Sequence, residues 1–111
     1  MGKNGYLGEF ELLVMATLAR LGDDAYGMAI RREIEARTDR SVSIGNVYAA
    51  LRRLQAKGYV ATRMGEPTAE RGGRAKKLFR LEAEGAAAIK RARAQFDVLW
   101  KGAKAHPGLR G

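Results

Sequence analysis

Apolar residues recur three and four positions apart in three segments before residue 59, which is the spacing of one face of an α-helix. The first segment, residues 6–21, is apolar nearly all round, so it must pack against a thick core or a partner chain. The second spans residues 25–37, with Asp24 as its expected cap. Gly27 lies early in this helix, where a glycine costs stability, which indicates a close backbone approach.

The third segment, residues 43–58, has both a helix start and a helix stop. Ser43 is a good N-cap and Gly58 suits the left-handed residue after a helix. Its apolar stripe is Ile44, Val47, Tyr48, Leu51 and Leu54. Its other face is predicted to carry Ser43, Asn46, Ala49, Ala50 and Arg53. Because a short connector joins this helix to the second, the pair is interpreted as a helix-turn-helix whose small, polar and basic face reads DNA. An ordinary amphipathic surface helix is the alternative.

After residue 58 the pattern predicts two short strands, residues 59–64 and 76–81, around a basic glycine-containing loop. Such a hairpin would form a wing beside the DNA-reading helix, unless the loop charges are only solvated. The wing residues predicted to contact DNA are Arg71, Gly72, Gly73, Arg74, Lys76 and Lys77.

The last predicted helix covers residues 82–101 and carries an apolar stripe with few neighbours left in its own chain. Pairing with a second copy, through this helix and the first, would bury that stripe. The residues predicted at this interface are Leu7, Phe10, Val14, Ile89, Phe96, Leu99 and Trp100. The predicted fold is therefore mainly α with a small β wing: a winged helix-turn-helix in residues 1–81, a dimerisation helix in residues 82–101 and a flexible tail in residues 102–111.

Charge and composition narrow the function. The 111 residues carry a net charge of +9, distributed as −1 in residues 1–40, +7 in residues 41–81 and +3 in the remainder. Positive charge concentrated in the middle third indicates a polyanion partner, which we take as double-stranded DNA. The absence of cysteine and the single histidine, His106, exclude thiol chemistry and a histidine metal cluster. The sequence thus predicts no enzyme activity, no cofactor and no metal; without an apolar run long enough for a membrane span, it predicts a cytoplasmic protein.

The stretches AYG at 25–27, SIGNVYAALRRLQAKGYV at 43–60 and RGGRAKKLFRLEAEG at 71–85 resemble the PadR-like transcriptional regulators. The resemblance covers roughly residues 7–100, and the single final helix is similar to that of the smaller subgroup. It implies a homodimeric repressor on a pseudo-palindromic operator, released by a small aromatic or drug-like effector. It also implies that Phe96 and Trp100 could line an effector pocket; a packing role in the dimer is the alternative.

By the same resemblance, Ser43, Asn46 and Tyr48 would lie at the DNA end of the third helix. Asn46 replaces the family's usual Thr and Ala49 its usual Pro. Because Asn46 lies on the predicted reading face, the operator sequence is expected to differ. Tyr48 could either pack or contact DNA, since its ring is apolar and its hydroxyl can reach outward. Two rival functions also fit the sequence: an RNA- or ribosome-associated winged-helix module, and a structural dimer that binds DNA without sequence preference.

Overall fold

A computed structural model describes residues 7–66 and 75–109. In that part of the chain three helices come first, then an antiparallel two-stranded hairpin and a long final helix. There are also two short 3-10 helices: Gly22–Asp24 follows the first helix, and Pro107–Leu109 follows the last one. The elements are α1 (Glu9–Leu21), α2 (Gly27–Thr38), α3 (Ile44–Ala56), β1 (Val60–Met64), β2 (Lys77–Leu81) and α4 (Ala83–Ala103). The predicted class, mainly helical α+β with a wing and a C-terminal helix, is confirmed.

The core lies where α1, α2 and α3 meet and is closed on one side by the hairpin. Each helix contributes side chains of its predicted stripe, except that Tyr48 of α3 is exposed, and their burial supplies the main free energy of folding. The most completely buried side chains are Val14, Met15, Leu18, Ile30, Ile34, Val47, Leu51 and Leu54. Ala50, predicted on the outer face of α3, is also fully buried. It lies three residues after Val47 and four before Leu54, so the helical period places it on the inner face.

The start of α2 differs from the prediction, because residues 25–26 are extended and pair with β2. The Phe79 N–H donates to the Ala25 carbonyl at 2.8 Å, and Tyr26 forms a bridge with Leu78. The helix consequently begins at Gly27, with Tyr26 as its N-cap residue. Asp24 belongs to the preceding 3-10 helix, so the prediction that it caps α2 was wrong.

Both predicted ends of α3 are confirmed. The Ser43 hydroxyl accepts a hydrogen bond from the Asn46 N–H at 3.0 Å, which satisfies one of the unpaired donors of the first turn. Gly58 has φ +79°, and its N–H donates to the Gln55 carbonyl at 3.0 Å. A left-handed residue of this kind ends a helix and turns the chain, here into β1.

In the hairpin, Val60 is paired with Leu81, Thr62 with Phe79 and Met64 with Lys77. The inner end is anchored in the core by Val60 and Phe79, whereas Met64 at the outer end is exposed. The hairpin therefore extends away from the core, as a wing does. The predicted DNA contacts Arg71, Gly72, Gly73 and Arg74 lie outside the described residues.

Within residues 7–66 and 75–109, only the beginning of α4 packs on the rest of the chain. Gly85 and Ala88 are buried and Ile89 is half-buried, but the helix continues outward with exposed apolar side chains. It ends at Ala103, two residues beyond the predicted end, and the tail, predicted to be flexible throughout, forms the exposed 3-10 helix Pro107–Leu109. None of the helices in the described ranges has the length and apolar character needed to cross a membrane.

Candidate nucleic-acid interface

The connector between α2 and α3 is fixed by two side chains of α2. The Val42 N–H donates to the Glu35 carboxylate at 2.8 Å, and the Arg31 Nε donates to the Val42 carbonyl at 2.8 Å. Arg31 and Glu35 also lie 3.7 Å apart as an ion pair. The N–H and the carbonyl of Val42 are thereby both hydrogen-bonded, and the start of α3 has a defined position relative to α2.

The outer face of α3 presents the predicted DNA-reading residues to solvent. Ser43 and Asn46 are exposed, Ala49 is half-buried, and 56% of the Arg53 side chain is exposed. Small and polar side chains on such a face allow close approach to base edges in a major groove. Beside them is a concavity of about 300 Å³, lined by Phe10, Arg40, Ser41, Val42, Asn46, Ala49 and Arg53. The structure thus brings four predicted contacts, Ser43, Asn46, Ala49 and Arg53, onto one surface.

Tyr48 packs within its own chain and is also partly exposed, and its contact with DNA stays a prediction. Its ring packs at a tilt on Phe79, with centroids 6.2 Å apart, and 37% of the residue is exposed. Its hydroxyl end lies against the backbone of Gly27, where an added Cβ would collide with the hydroxyl and the ring. The close approach predicted at Gly27 is therefore confirmed, and Tyr48 is the side chain that makes it. The tyrosine links the start of α2 to the outer face of α3.

Arg53 is held by a buried carboxylate that the sequence analysis missed. Glu11 on α1 is 5% exposed, and its Oε2 accepts from the Arg53 Nε at 2.7 Å. Its Oε1 accepts from the Lys57 Nζ at 3.2 Å and from the Gly8 N–H at 2.9 Å. Burial by itself would raise the pKa of Glu11, but these hydrogen bonds and the Lys57 charge lower the pKa below its ordinary value of 4.5. Glu11 is therefore ionised at neutral pH and joins α1 to the last turns of α3.

At the outer end of the hairpin, the predicted contacts Lys76 and Lys77 are exposed and rest on aromatic rings. The Lys76 Nζ lies 4.0 Å from the centroid of the Tyr26 ring, and the Lys77 Nζ lies 5.8 Å from that of Phe79. A hydrogen bond from Arg32 to the Tyr26 hydroxyl at 3.4 Å, together with the nearby Lys76 charge, outweighs partial burial and lowers the pKa of Tyr26. Cations held over rings in this way remain available to phosphates.

The residues predicted at a dimer interface fall into three groups. Val14 is fully buried in the core of its own chain, so it has no surface to offer and its assignment to the interface was wrong. Leu7, Phe10 and Ile89 are partly buried against that core. On the outer half of α4, Phe96 and Leu99 are exposed, and the half-buried Trp100 stacks on Phe96 with centroids 5.7 Å apart.

Among the described residues, no cluster of acidic or histidine side chains could hold a metal ion.

Residues 14–91 match the model of the Transcriptional regulator PadR-like family, which is well over half of the chain. The chain belongs to this family. As a PadR-like protein it is a DNA-binding transcriptional regulator and not an enzyme. None of the curated proteins is a significant match to it.

Solved structures agree with this fold. A PadR-family regulator from Eggerthella lenta is 28% identical, with a TM-score of 0.67 over 84% of this chain and 79% of that one. A transcriptional regulator from Clostridium thermocellum is 23% identical, with a TM-score of 0.72 over 93% of this chain and 94% of that one. Bacillus subtilis PadR, solved in complex with operator DNA, is 20% identical, with a TM-score of 0.59 over 73% of this chain and 44% of that one.

Proposed function

We propose that this PadR-like protein is a homodimeric repressor that binds a pseudo-palindromic operator and is released by a small planar aromatic compound. The observation that supports the proposed homodimer is the exposed apolar surface on the outer half of α4. Leu99 is 75% exposed and Phe96 is 60% exposed on a helix whose inner half packs normally. Exposed apolar side chains grouped on one helix face mark an interaction surface, because leaving them in water is unfavourable.

A two-fold pair of subunits would set the spacing of the DNA contacts. Each subunit has one outer α3 face, with Ser43, Asn46 and Ala49 exposed or half-buried on it. When a dimer places two such helices in successive major grooves, the half-sites lie about one helical turn of DNA apart, and an inverted repeat is the matching sequence. Lys76 and Lys77 at the outer end of the hairpin, with the predicted loop contacts Arg71 and Arg74, would bind flanking phosphates.

The dimer is tested by placing a charge on the apolar stripe of α4. We expect Leu99→Glu to yield a one-subunit mass in light scattering at concentrations at which the wild type has the mass of two, because an unpaired carboxylate is costly in an apolar interface. Ala94→Glu adds the same charge on the opposite face of the helix and should keep the two-subunit mass. Circular dichroism checks that both variants remain helical.

The DNA-binding part of the proposal is tested with the same two variants. Footprinting should show two protected half-sites for the wild type and Ala94→Glu, and weaker, single half-site protection for Leu99→Glu. Structured RNA serves as the competitor, because the +7 charge of residues 41–81 would attract any polyanion. A wild type with the mass of one subunit, or with equal affinity for all duplexes and for RNA, would contradict the repressor proposal.

The effector proposal is tested through Trp100, which is the only tryptophan and therefore reports on this site alone. Its stack on Phe96 offers a flat apolar surface for a planar ring. We expect saturable quenching of Trp100 fluorescence by planar aromatic compounds, at least tenfold weaker in Phe96→Ala, and release of DNA by the same compounds. If no member of a varied panel of neutral and cationic ring compounds quenches the fluorescence, the packing role of Trp100 is the correct interpretation.

A regulator works in the compartment that holds its DNA. The relatives named above are bacterial proteins, whose chromosomes lie in the cytoplasm, and we propose the same location here.

A further inference from the structure

We propose that the concavity between α1 and α3 binds one phosphate of the DNA backbone, with Arg40 and Arg53 as its two cationic walls. Arg40 comes from the connector between α2 and α3, and no sequence pattern singled it out. The inference depends on the DNA binding of the family and does not depend on the dimer, repressor or effector proposals.

The geometry of the concavity suits a phosphate group. Its volume is about 300 Å³, and Arg40 and Arg53 line it together with the polar side chains of Ser41 and Asn46. Two guanidinium groups facing one space can donate several charge-assisted hydrogen bonds to phosphate oxygens. Asn46 and Ala49, on the reading face of α3, form part of the same lining. A backbone phosphate bound there would fix the depth and the angle at which α3 enters the groove.

Both arginines are positioned by carboxylates of α1. The Arg53 Nε donates to Glu11 at 2.7 Å, and the Arg40 Nη1 lies 3.2 Å from Glu9. The Arg40 guanidinium carbon is also 5.7 Å from the centroid of the Phe10 ring. These contacts restrict side chains that would otherwise lose much rotamer entropy on binding. The side chains nevertheless remain 40% (Arg40) and 56% (Arg53) exposed, which a ligand from solvent requires.

The carboxylates also explain why the occupant is part of a polymer. Glu9 and Glu11 partly neutralise the two arginines, so the concavity has little net attraction for a small, freely diffusing anion. A DNA phosphate is delivered by the many other contacts of the duplex, and its effective concentration at the cleft is high once α3 is docked.

The experiment measures DNA affinity against salt for the full-length protein and its Arg40→Gln, Arg53→Gln and double variants. We expect each single change to weaken binding about five- to tenfold at low salt, which is the effect of one charge-assisted contact. If both side chains hold the same phosphate, the slope of log affinity against log salt should fall by about one, not two, in the double variant. The fold-loss of affinity in the double variant should also be smaller than the product of the fold-losses in the two single variants.

Arg37→Gln is the matched control. Arg37 is a surface arginine that also donates to a carboxylate, Glu33, at 3.0 Å, but it does not line the concavity. Its replacement should change affinity less than twofold, whereas a loss equal to that of Arg40→Gln would show a general charge effect and overturn the proposal. Since Arg53 also pairs with Glu11, thermal unfolding of each variant is recorded and binding is measured well below every transition.

A second arm locates the phosphate. Duplexes carrying one neutral methylphosphonate linkage at a time are titrated with the wild type and with both single variants. We expect one linkage whose neutralisation weakens the wild type most, weakens Arg40→Gln and Arg53→Gln less because one arginine remains, and adds nothing in the double variant titrated in the same way. Different linkages for the two variants, or none, would overturn the proposal, as would saturable binding of inorganic phosphate that Arg40→Gln abolishes while its DNA binding is unchanged. A failure of the repressor proposal is seen separately, in the wild-type mass and sequence preference.

Discussion

Gly85→Ala should destabilise the protein by about 2 kcal/mol, roughly an 8 °C fall in melting temperature, although alanine is the better helix former. Gly85 is buried in the first turn of α4. A Cβ added there would lie 2.5 Å from the Tyr59 carbonyl oxygen and 2.8 Å from the Leu81 Cδ1. The Tyr59 carbonyl also accepts a hydrogen bond from the Glu82 N–H at 2.9 Å, so the backbone cannot move aside without losing that bond.

Gly102→Ala is the control for this prediction, because it lies in the same helix and no atom of the described residues is within 4 Å of its added Cβ. Without a steric cost, the helix propensity of alanine should stabilise the protein slightly, by less than about 0.5 kcal/mol, because Gly102 is the next-to-last residue of α4. Thermal unfolding by circular dichroism compares the two variants at one protein concentration. If both substitutions stabilise, α4 does not approach the hairpin as closely as the structure indicates.

The elements that the sequence predicted correctly are those that local rules determine. Ser43 and Gly58 bound α3 by interactions within four residues of themselves, and both were identified. The inward stripes of α1, α2 and α3 follow the 3.6-residue period, which requires no knowledge of the partner surface. Ala50 was placed on the wrong face because a small residue is compatible with either side of a helix, so its chemistry gives no signal.

The errors arise where contacts distant in sequence decide the structure. Residues 25–26 continue a helical pattern in the sequence. The N–H of Phe79, more than fifty positions later, donates a hydrogen bond to the Ala25 carbonyl, and this pairing keeps residues 25–26 extended. Val14 was expected to face a partner because α1 is apolar nearly all round, and only packing within the chain shows which side is used.

Contacts distant in sequence are also the reason why only part of the candidate site was predicted. Asn46, Ala49 and Arg53 share one face by periodicity alone, but Arg40 reaches that face through the fold of the connector. Glu11 lies forty-two positions from Arg53, and an acid in the first turn of a helix normally indicates only a favourable dipole interaction. Its burial next to Arg53 of α3 and Lys57 just after that helix could be recognised only in three dimensions.

Glu11→Ala should cost about 2–3 kcal/mol at pH 7, because it removes a carboxylate, on a residue only 5% exposed, that three donors share. Arg53 and Lys57 would keep their charges beside α1 without this partner, and the Gly8 N–H would lose its acceptor. Glu11→Gln keeps the shape and an oxygen for Gly8, so it should cost less, about 1–2 kcal/mol. Glu9→Gln is the matched control: Glu9 is an exposed acid of the same helix, paired with Arg40 at 3.2 Å, and its loss should be near zero.

The pH dependence distinguishes the charge of Glu11 from its packing. Its pKa in the folded protein lies below the ordinary value of 4.5, so the unfolded chain binds the proton more readily. The carboxylate's contribution is therefore fully present above about pH 4.5 and is lost as the pH falls through the folded pKa. In urea unfolding from pH 7 to pH 3, the gap between wild type and Glu11→Gln should narrow on acidification. A gap of equal size at both ends would show that shape, and not charge, is what Glu11 contributes to holding α1 on α3.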